Sequence, residues 1–279
     1  MVQSLTRVVS CASEVRRIQR SQNDVRSNAG ESLTEHELLW SPKADSMKSA
    51  LADLNAGGRL LVISPHLDDA VFSCEALLGF AQNVHVLTIF GGDAPPGMSI
   101  SDWDLQCGFS EGTNVMKMRR QEDARALGEL GAIPIWGEEL QEGYRLTPVE
   151  QDRVTALIST TIETLSPSHV LFPLGLSHAD HLTVASACVS AVRAHRISNA
   201  FVYAERPYAQ RKIGIVGPRR RQIGKEGAEL APEALPRDAR HGNRHAIQCY
   251  PSQLRGLKIS AFRMGLFRER YWRITWRDA

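Results

Sequence analysis

Two short polar turns hold the residue types that metal-assisted hydrolysis needs. The first is Ser64-Pro65-His66-Leu67-Asp68-Asp69, and the second ends in Ser177-His178-Ala179-Asp180-His181. One neutral imidazole plus one carboxylate begins a zinc site with an open position, and a second imidazole completes three protein ligands. A further carboxylate is then free to act as general base on metal-bound water. His66, Asp69 and one of His178 or His181 are therefore candidate ligands. Taken alone, the first turn also reads as helix capping with a solvated charge pair, because Asp suits the start of a helix. Two turns of this kind, both rich in ligand types, favour the chemical reading.

Each turn needs an element on either side to aim it. Leu60 to Ile63 is an unbroken apolar run, short enough for a fully buried strand. Ala70 to Phe80 follows with Val71, Phe72, Leu77 and Leu78 at helical spacing. His169 to Pro173 repeats the pattern as a second buried strand, with a helix expected from about Leu182 to Ala194. Open α/β sheets gather their ligand sites where the carboxyl ends of parallel strands meet the following turns. The two turns then share one sheet edge.

SPHLDDAVFSCEALL resembles the PHPDDE-type motif of the PIG-L/LmbE-like metal-dependent N-deacetylases, and GLSHADH resembles the HxDH motif of that family. Arg119-Arg120-Gln121-Glu122 with Leu130-Gly131 is similar to its RxxE helix and LG end, and Tyr250-Pro251-Ser252-Gln253 to its (H/Y)xSQ element. Tyr203 to Tyr208 sits where one branch has a YEDxPY-like segment. The likeness runs from about Arg59 to Gln253 with the motifs in order. It implies a Rossmann-like fold and a zinc-dependent hydrolase that removes acyl groups, usually acetyl, from amino sugars and related conjugates. It implies His66, Asp69 and His181 as metal ligands, and Asp68 as general base. His178 is the implied general acid or oxyanion stabiliser, with Asp180 orienting a histidine. A carboxylate beside His178 would favour its charged form. Leu67 stands where the motif has Pro, and Ala70 where it has Glu; neither change removes a ligand or the base. Two imidazoles and one carboxylate suit Zn2+, and other divalent transition metals also fit. The resemblance directs Arg119 at the substrate, against a plain i,i+3 surface pair with Glu122. It also makes Asp93, Tyr250 and Gln253 candidate substrate contacts, Asp93 being equally a turn residue after Gly91-Gly92.

The chain has 279 residues, enough for one large α/β domain or two small ones. Its net charge of +2 gives no argument for nucleic acid. Five cysteines, an odd number with no CxxC, do not form a disulfide framework and suit a reduced, cytoplasmic setting. No stretch approaches the ~20 apolar residues of a membrane span, and no GxGxxG follows the first strand, so dinucleotide binding is not supported. Residues 1–30 carry arginines without an apolar core and read as a flexible extension rather than a signal peptide. A helix is expected within 31–55, then a single domain over 31–279. Its strands alternate with helices, which makes a mostly parallel sheet covered on both faces.

Along the chain, Val84–Phe90 reads as a strand, 91–114 as a long loop, and Val115–Leu130 as a helix stopped by Gly131. Ile133–Trp136 is a short strand that Pro134 confines to an edge or a strand start. Thr147-Pro148-Val149-Glu150 reads as a capping box for a helix to Leu165. Phe201–Ala204 is a further strand, and Tyr271–Trp276 the final edge strand. Residues 210–244 hold many arginines with glycines and prolines and no aromatic residue. They read as a mobile basic loop: either a solvated insertion, or a lid over an anionic substrate such as a nucleotide-linked or phosphorylated sugar. The expected substrate is thus a small N-acylated amino sugar. The rival readings are an amidase for a larger acyl or thiol conjugate, and a non-catalytic metal-binding protein.

Overall fold

The computed structural model describes residues 50–211, 213–240 and 245–277. The expected extension over 1–30 and most of the helix expected within 31–55 lie outside these residues. In chain order the elements are β1 (Arg59–Ser64), α1 (Asp69–Phe80), β2 (Asn83–Thr88), α2 (Asp102–Gln106), α3 (Val115–Glu129), β3 (Ile133–Trp136), α4 (Gln151–Leu165), β4 (His169–Pro173) and α5 (Ala179–Ala194). There follow β5 (Ala200–Tyr203), α6 (Tyr208–Arg211), α7 (Ile213–Lys225), β6 (Ala228–Glu233), α8 (His245–Gln248), α9 (Pro251–Leu257), α10 (Ala261–Gly265) and β7 (Tyr271–Trp276).

The strands form one sheet in the order β3-β2-β1-β4-β5-β7-β6. The first five run parallel, and β7 runs antiparallel to both β5 and β6. Strand order therefore reverses between β1 and β4, which pair with Leu61 opposite Val170. That reversal opens the crevice where doubly wound sheets bind ligands. Alternation along each buried strand separates two cores. Leu61, Ile63, Val170 and Phe172 join α4, α5 and α7 on one face. Leu60, Val62, Val84 and Val86 join α1, α3 and α8 on the other. A strand buried on both sides has no polar face, so β1 and β4 read as continuous apolar runs. Among the described residues no helix is long and apolar enough to cross a membrane.

The expected strands and helices around the two turns are present. β3 is an edge strand, as Pro134 required. Other expectations are corrected. The basic stretch is not a loop: α7 and β6 occupy most of it. Val216 and Ile223 anchor α7 in the core, and the Arg219 side chain donates from Nε to the Leu174 carbonyl. Three glycines and Pro218 hide this helix from a propensity reading, but burial of its apolar side decides it. β7 is therefore not the edge, because β6 pairs along its outer side from Ala228 to Glu233. The helix after Thr147 starts only at Gln151, with no side-chain cap at Glu150, so the capping box does not form. α5 begins at Ala179, three residues earlier than its apolar pattern indicates.

Candidate active site

The first turn folds around a serine. Ser64 Oγ donates to the His66 carbonyl at 2.6 Å and accepts the Ala70 amide at 3.0 Å. That hydroxyl does the work of a helix cap, and Asp68 at the N-cap position makes no side-chain cap bond. Both aspartates are thereby released from capping, which removes the simpler reading of this turn. Asp69 Oδ2 accepts the His66 amide at 3.0 Å, fixing one carboxylate oxygen beside the imidazole. In the second turn Gly175 has φ +84°, and a Cβ there would lie 2.7 Å from the Ala185 side chain. Only glycine allows β4 to turn so closely onto α5.

Strand pairing brings the turns together. Donor atoms of His66, Asp69 and His181 all lie within 4.8 Å of one another. His181 Nε2 is 3.1 Å from Asp69 Oδ2, yet it is buried without an aligned hydrogen-bond partner. His66 Nδ1 is 3.2 Å from the same oxygen. The other nitrogen of each ring is held by a different carboxylate: His66 Nε2 meets Asp180 Oδ2 at 3.0 Å, and His181 Nδ1 meets Glu205 Oε1 at 3.1 Å. This is the carboxylate–histidine arrangement that orients metal-binding imidazoles. A divalent metal fits this donor set, because an unpartnered imidazole nitrogen, a second imidazole and a carboxylate oxygen converge in a buried spot.

A second group, His66, His178 and Asp180, also lies within 4.8 Å. It fits a metal less well. Asp180 already accepts from Arg145, from the Glu142 amide at 3.1 Å and from His66. His178 Nδ1 accepts the Asp180 amide at 3.1 Å. That bond places the proton of a neutral His178 on Nε2, which faces Glu142 Oε2 at 3.5 Å.

The charges follow from burial and neighbours. Burial opposes charge on His181, but the Asp69 and Glu205 carboxylates outweigh it and push its pKa up to about 10. Burial likewise opposes charge on His66, and Asp180 and Asp69 outweigh it. The pocket thus favours a positive occupant, a proton or a metal. Asp68 is raised, first by burial and then by the Asp69 charge, with Arg119 pulling it back. Burial and then the His66 charge pull His178 down to about 3. The expectation that a neighbouring carboxylate keeps His178 protonated is corrected: Asp180 favours its charge, but burial and the His66 charge outweigh it.

These residues open into a cleft lined by His66, Asp68, Asp69, His178, Arg119 and Gln253 among others. Arg119 Nη2 lies 3.4 Å from Asp68 Oδ1, and its Nη1 donates to Gln141 at 2.9 Å. Arg119 therefore borders Asp68 and the cleft, not the outer surface. Phe72, Trp103 and Leu257 form an apolar wall. Two expected substrate contacts are not brought into the cleft. Tyr250 is buried behind Phe72, ring centroids 5.2 Å apart, and its hydroxyl donates to Asp123 at 2.8 Å. Asp93 is half exposed and pairs with Arg120 at 2.7 Å. Among the described residues, none of 210–244 lines the cleft; Arg219 and Arg220 donate to backbone carbonyls instead. Residue reading missed Glu205, Arg145 and Glu142. Glu205 lies within the segment Tyr203–Tyr208 already singled out, whereas nothing local marks the other two.

Residues 61–192 match the family described as GlcNAc-PI de-N-acetylase, PIG-L. The zinc-inhibited form of a teicoplanin deacetylase is 25% identical with a TM-score of 0.66, over 79% of this chain and 99% of that one. The A40926 pseudoaglycone deacetylase is 26% identical with a TM-score of 0.62, over 80% and 99%. No curated protein matches the sequence.

Proposed function

We propose that this chain, which belongs to the PIG-L family through residues 61–192, hydrolyses the N-acetyl group of an amino sugar carried on a larger small molecule. The family and the deacetylase neighbours make it a hydrolase of the N-deacetylase class, which sets aside the non-catalytic reading. The family description, GlcNAc-PI de-N-acetylase, and the teicoplanin and A40926 pseudoaglycone deacetylases support an amino-sugar conjugate as substrate. The observation on which the reading rests is the buried convergence of His66, Asp69 and His181 beside Asp68 at the mouth of a cleft.

His66 Nδ1, Asp69 Oδ2 and His181 Nε2 would hold the metal, and Zn2+ suits two imidazoles with one carboxylate. When bound, it supplies a Lewis acid that polarises the acyl carbonyl and acidifies a water. Asp68 takes the proton of the attacking water, and its raised pKa brings it closer to the range a general base needs. Arg119 steadies that carboxylate. His178 donates from Nε2 to the developing oxyanion; because its Nδ1 accepts the Asp180 amide, the neutral ring already carries the proton this role needs. The C–N bond breaks, the nitrogen keeps the electron pair and takes the proton that Asp68 removed from the water, and acetate and a free amine leave.

The cleft does not support a nucleotide-linked or otherwise anionic substrate. Its two arginines are committed, Arg119 to Asp68 and Gln141, and Arg206 to Glu269 at 3.2 Å. The apolar wall of Phe72, Trp103 and Leu257 favours a second reading of the acyl group, a chain longer than acetyl. Acetate and octanoate release from N-acylated glucosaminides, with metal-depleted and zinc-reloaded protein, tests both. Asp68→Asn should retain zinc and lose about two to four orders of magnitude in kcat. Full activity in that variant would remove Asp68 as the base, and zinc-independent turnover would remove the metal.

A further inference from the structure

The cleft holds a carboxylate that neither motif supplies. Glu142 sits in the one-turn helix Glu142–Tyr144, between β3 and α4. Three observations fix its place. Its backbone amide donates to Asp180 Oδ2 at 3.1 Å, tying this turn to the carboxylate that orients His66. Its Oε2 lies 3.5 Å from His178 Nε2. Its side chain is 23% exposed and lines the cleft, so it meets the ligand space as well as the histidine. The turn is braced from below: Tyr144 donates its hydroxyl to the buried Asp104 at 2.6 Å, and Leu67 packs against Tyr144.

An amide bound for hydrolysis has two ends. Its carbonyl oxygen must face the metal group and His178 Nε2. Its nitrogen must face away from Asp69, towards the side of the cleft where the sugar lies. Glu142 lines the same cleft and lies 3.5 Å from His178 Nε2. Building on the deacetylase reading, we propose that Glu142 is the amine-side residue of this site: it accepts the N–H of the bound amide and holds the ammonium formed when the C–N bond breaks. The proton on the nitrogen then faces a full negative charge. Both bonds end on a carboxylate, but only the ammonium adds a charge–charge attraction to it, so Glu142 discriminates between the two forms of the ligand. It favours the charged amine product over the neutral amide substrate.

That difference separates this role from a purely structural one. A structural residue would weaken amide and amine alike, whereas a charge partner weakens the amine more. Titration calorimetry on zinc-loaded wild type, Glu142→Gln and Glu142→Asp, with glucosamine and N-acetylglucosamine as probes near pH 6.5, reads it directly. Glu142→Gln should weaken glucosamine about tenfold and N-acetylglucosamine less than twofold, and Glu142→Asp should recover part of the loss. Equal weakening of both ligands, an unchanged glucosamine affinity, or no glucosamine binding to the wild type would overturn the proposal. The measurement needs no turnover. Acetate release measured alongside therefore tells failure of the Glu142 role apart from failure of the deacetylase reading.

Discussion

In the His66–Asp69–His181 cluster each imidazole has one nitrogen committed to a carboxylate and the other turned inward, and this division of labour is what suits the cluster to a metal. The negative charge behind each ring raises its basicity and fixes its tautomer. Asp180 serves His66, and Glu205 serves His181. Glu205 is fully buried and also accepts the Gly175 and Leu176 amides, both at 2.8 Å, so it holds the second turn as well as the ring within it. Glu205→Gln keeps an acceptor but removes the charge. The expected result is a zinc affinity about 10- to 100-fold weaker, measured by competition with a chromophoric chelator. Unaltered affinity would mean that Glu205 only braces the turn. The proposed ligand residues could be picked out from sequence because they lie within two four-residue stretches. Glu205 was not legible as a partner, because its role exists only once β5 lies beside β4.

At the scale of elements, one helix organises the wall of the cleft. α3 presents Arg119 to Asp68, Glu122 to the start of α9, and Asp123 to Tyr250. Glu122 accepts the Ser252 amide at 3.1 Å and its hydroxyl at 2.5 Å, while Gln253 Nε2 donates to Ser252 Oγ at 3.0 Å. Gln253 thus reaches the cleft from a clamped helix start. α9 in turn packs on α2, where a Cβ on Gly256 would lie 2.5 Å from Cys107 Sγ and 2.9 Å from the Trp103 ring. Gly256→Ala should therefore push Trp103 from its place in the apolar wall. It should cost about 1–3 kcal/mol of stability and raise KM more than it lowers kcat, as read from denaturant unfolding and steady-state kinetics. An unchanged KM would uncouple α2 from substrate binding. Pattern alone reached the buried strands β1 and β4, the edge position of β3 and the stop of α3 at Gly131, since each is set by local chemistry. It missed α7 and β6. Arginines, glycines and a proline gave that stretch a loop-like composition, and only its packing against β7 and the β4 turn overrides it.

For the whole molecule, the reversal of strand order between β1 and β4 explains why two distant turns meet, and the sheet's two buried faces explain why they meet rigidly. The same burial leaves a carboxyl group where water cannot reach it. Asp123 sits between α3, β3 and the start of α9, accepting Trp136 Nε1 at 2.7 Å and the Tyr250 hydroxyl at 2.8 Å. Burial outweighs both bonds and raises its pKa from 3.8 to about 7. The sign of the linkage follows. Below about pH 4 both folded and unfolded chains hold this proton, and the group imposes no penalty. Between about pH 4 and 7 the unfolded chain releases it while the folded chain keeps it, so the unfolded state binds fewer protons and stability falls as pH rises. Asp69 and Asp180, whose pKa values are lowered by their histidines, act in the opposite direction at lower pH. The contribution of Asp123 must therefore be read as a difference. Asp123→Asn imitates the protonated acid, accepting from Trp136 and donating to Tyr250, and carries no titration. At ~1.4 kcal/mol for each pKa unit, the stability of wild type relative to this variant should fall by about 4 kcal/mol from pH 4 to pH 7 and then level off, as followed by urea midpoints across that range. A difference that stays flat would place Asp123 as an ionised acceptor throughout. The link between the edge strand, α3 and the α9 wall would then be a fixed one, with no proton in it.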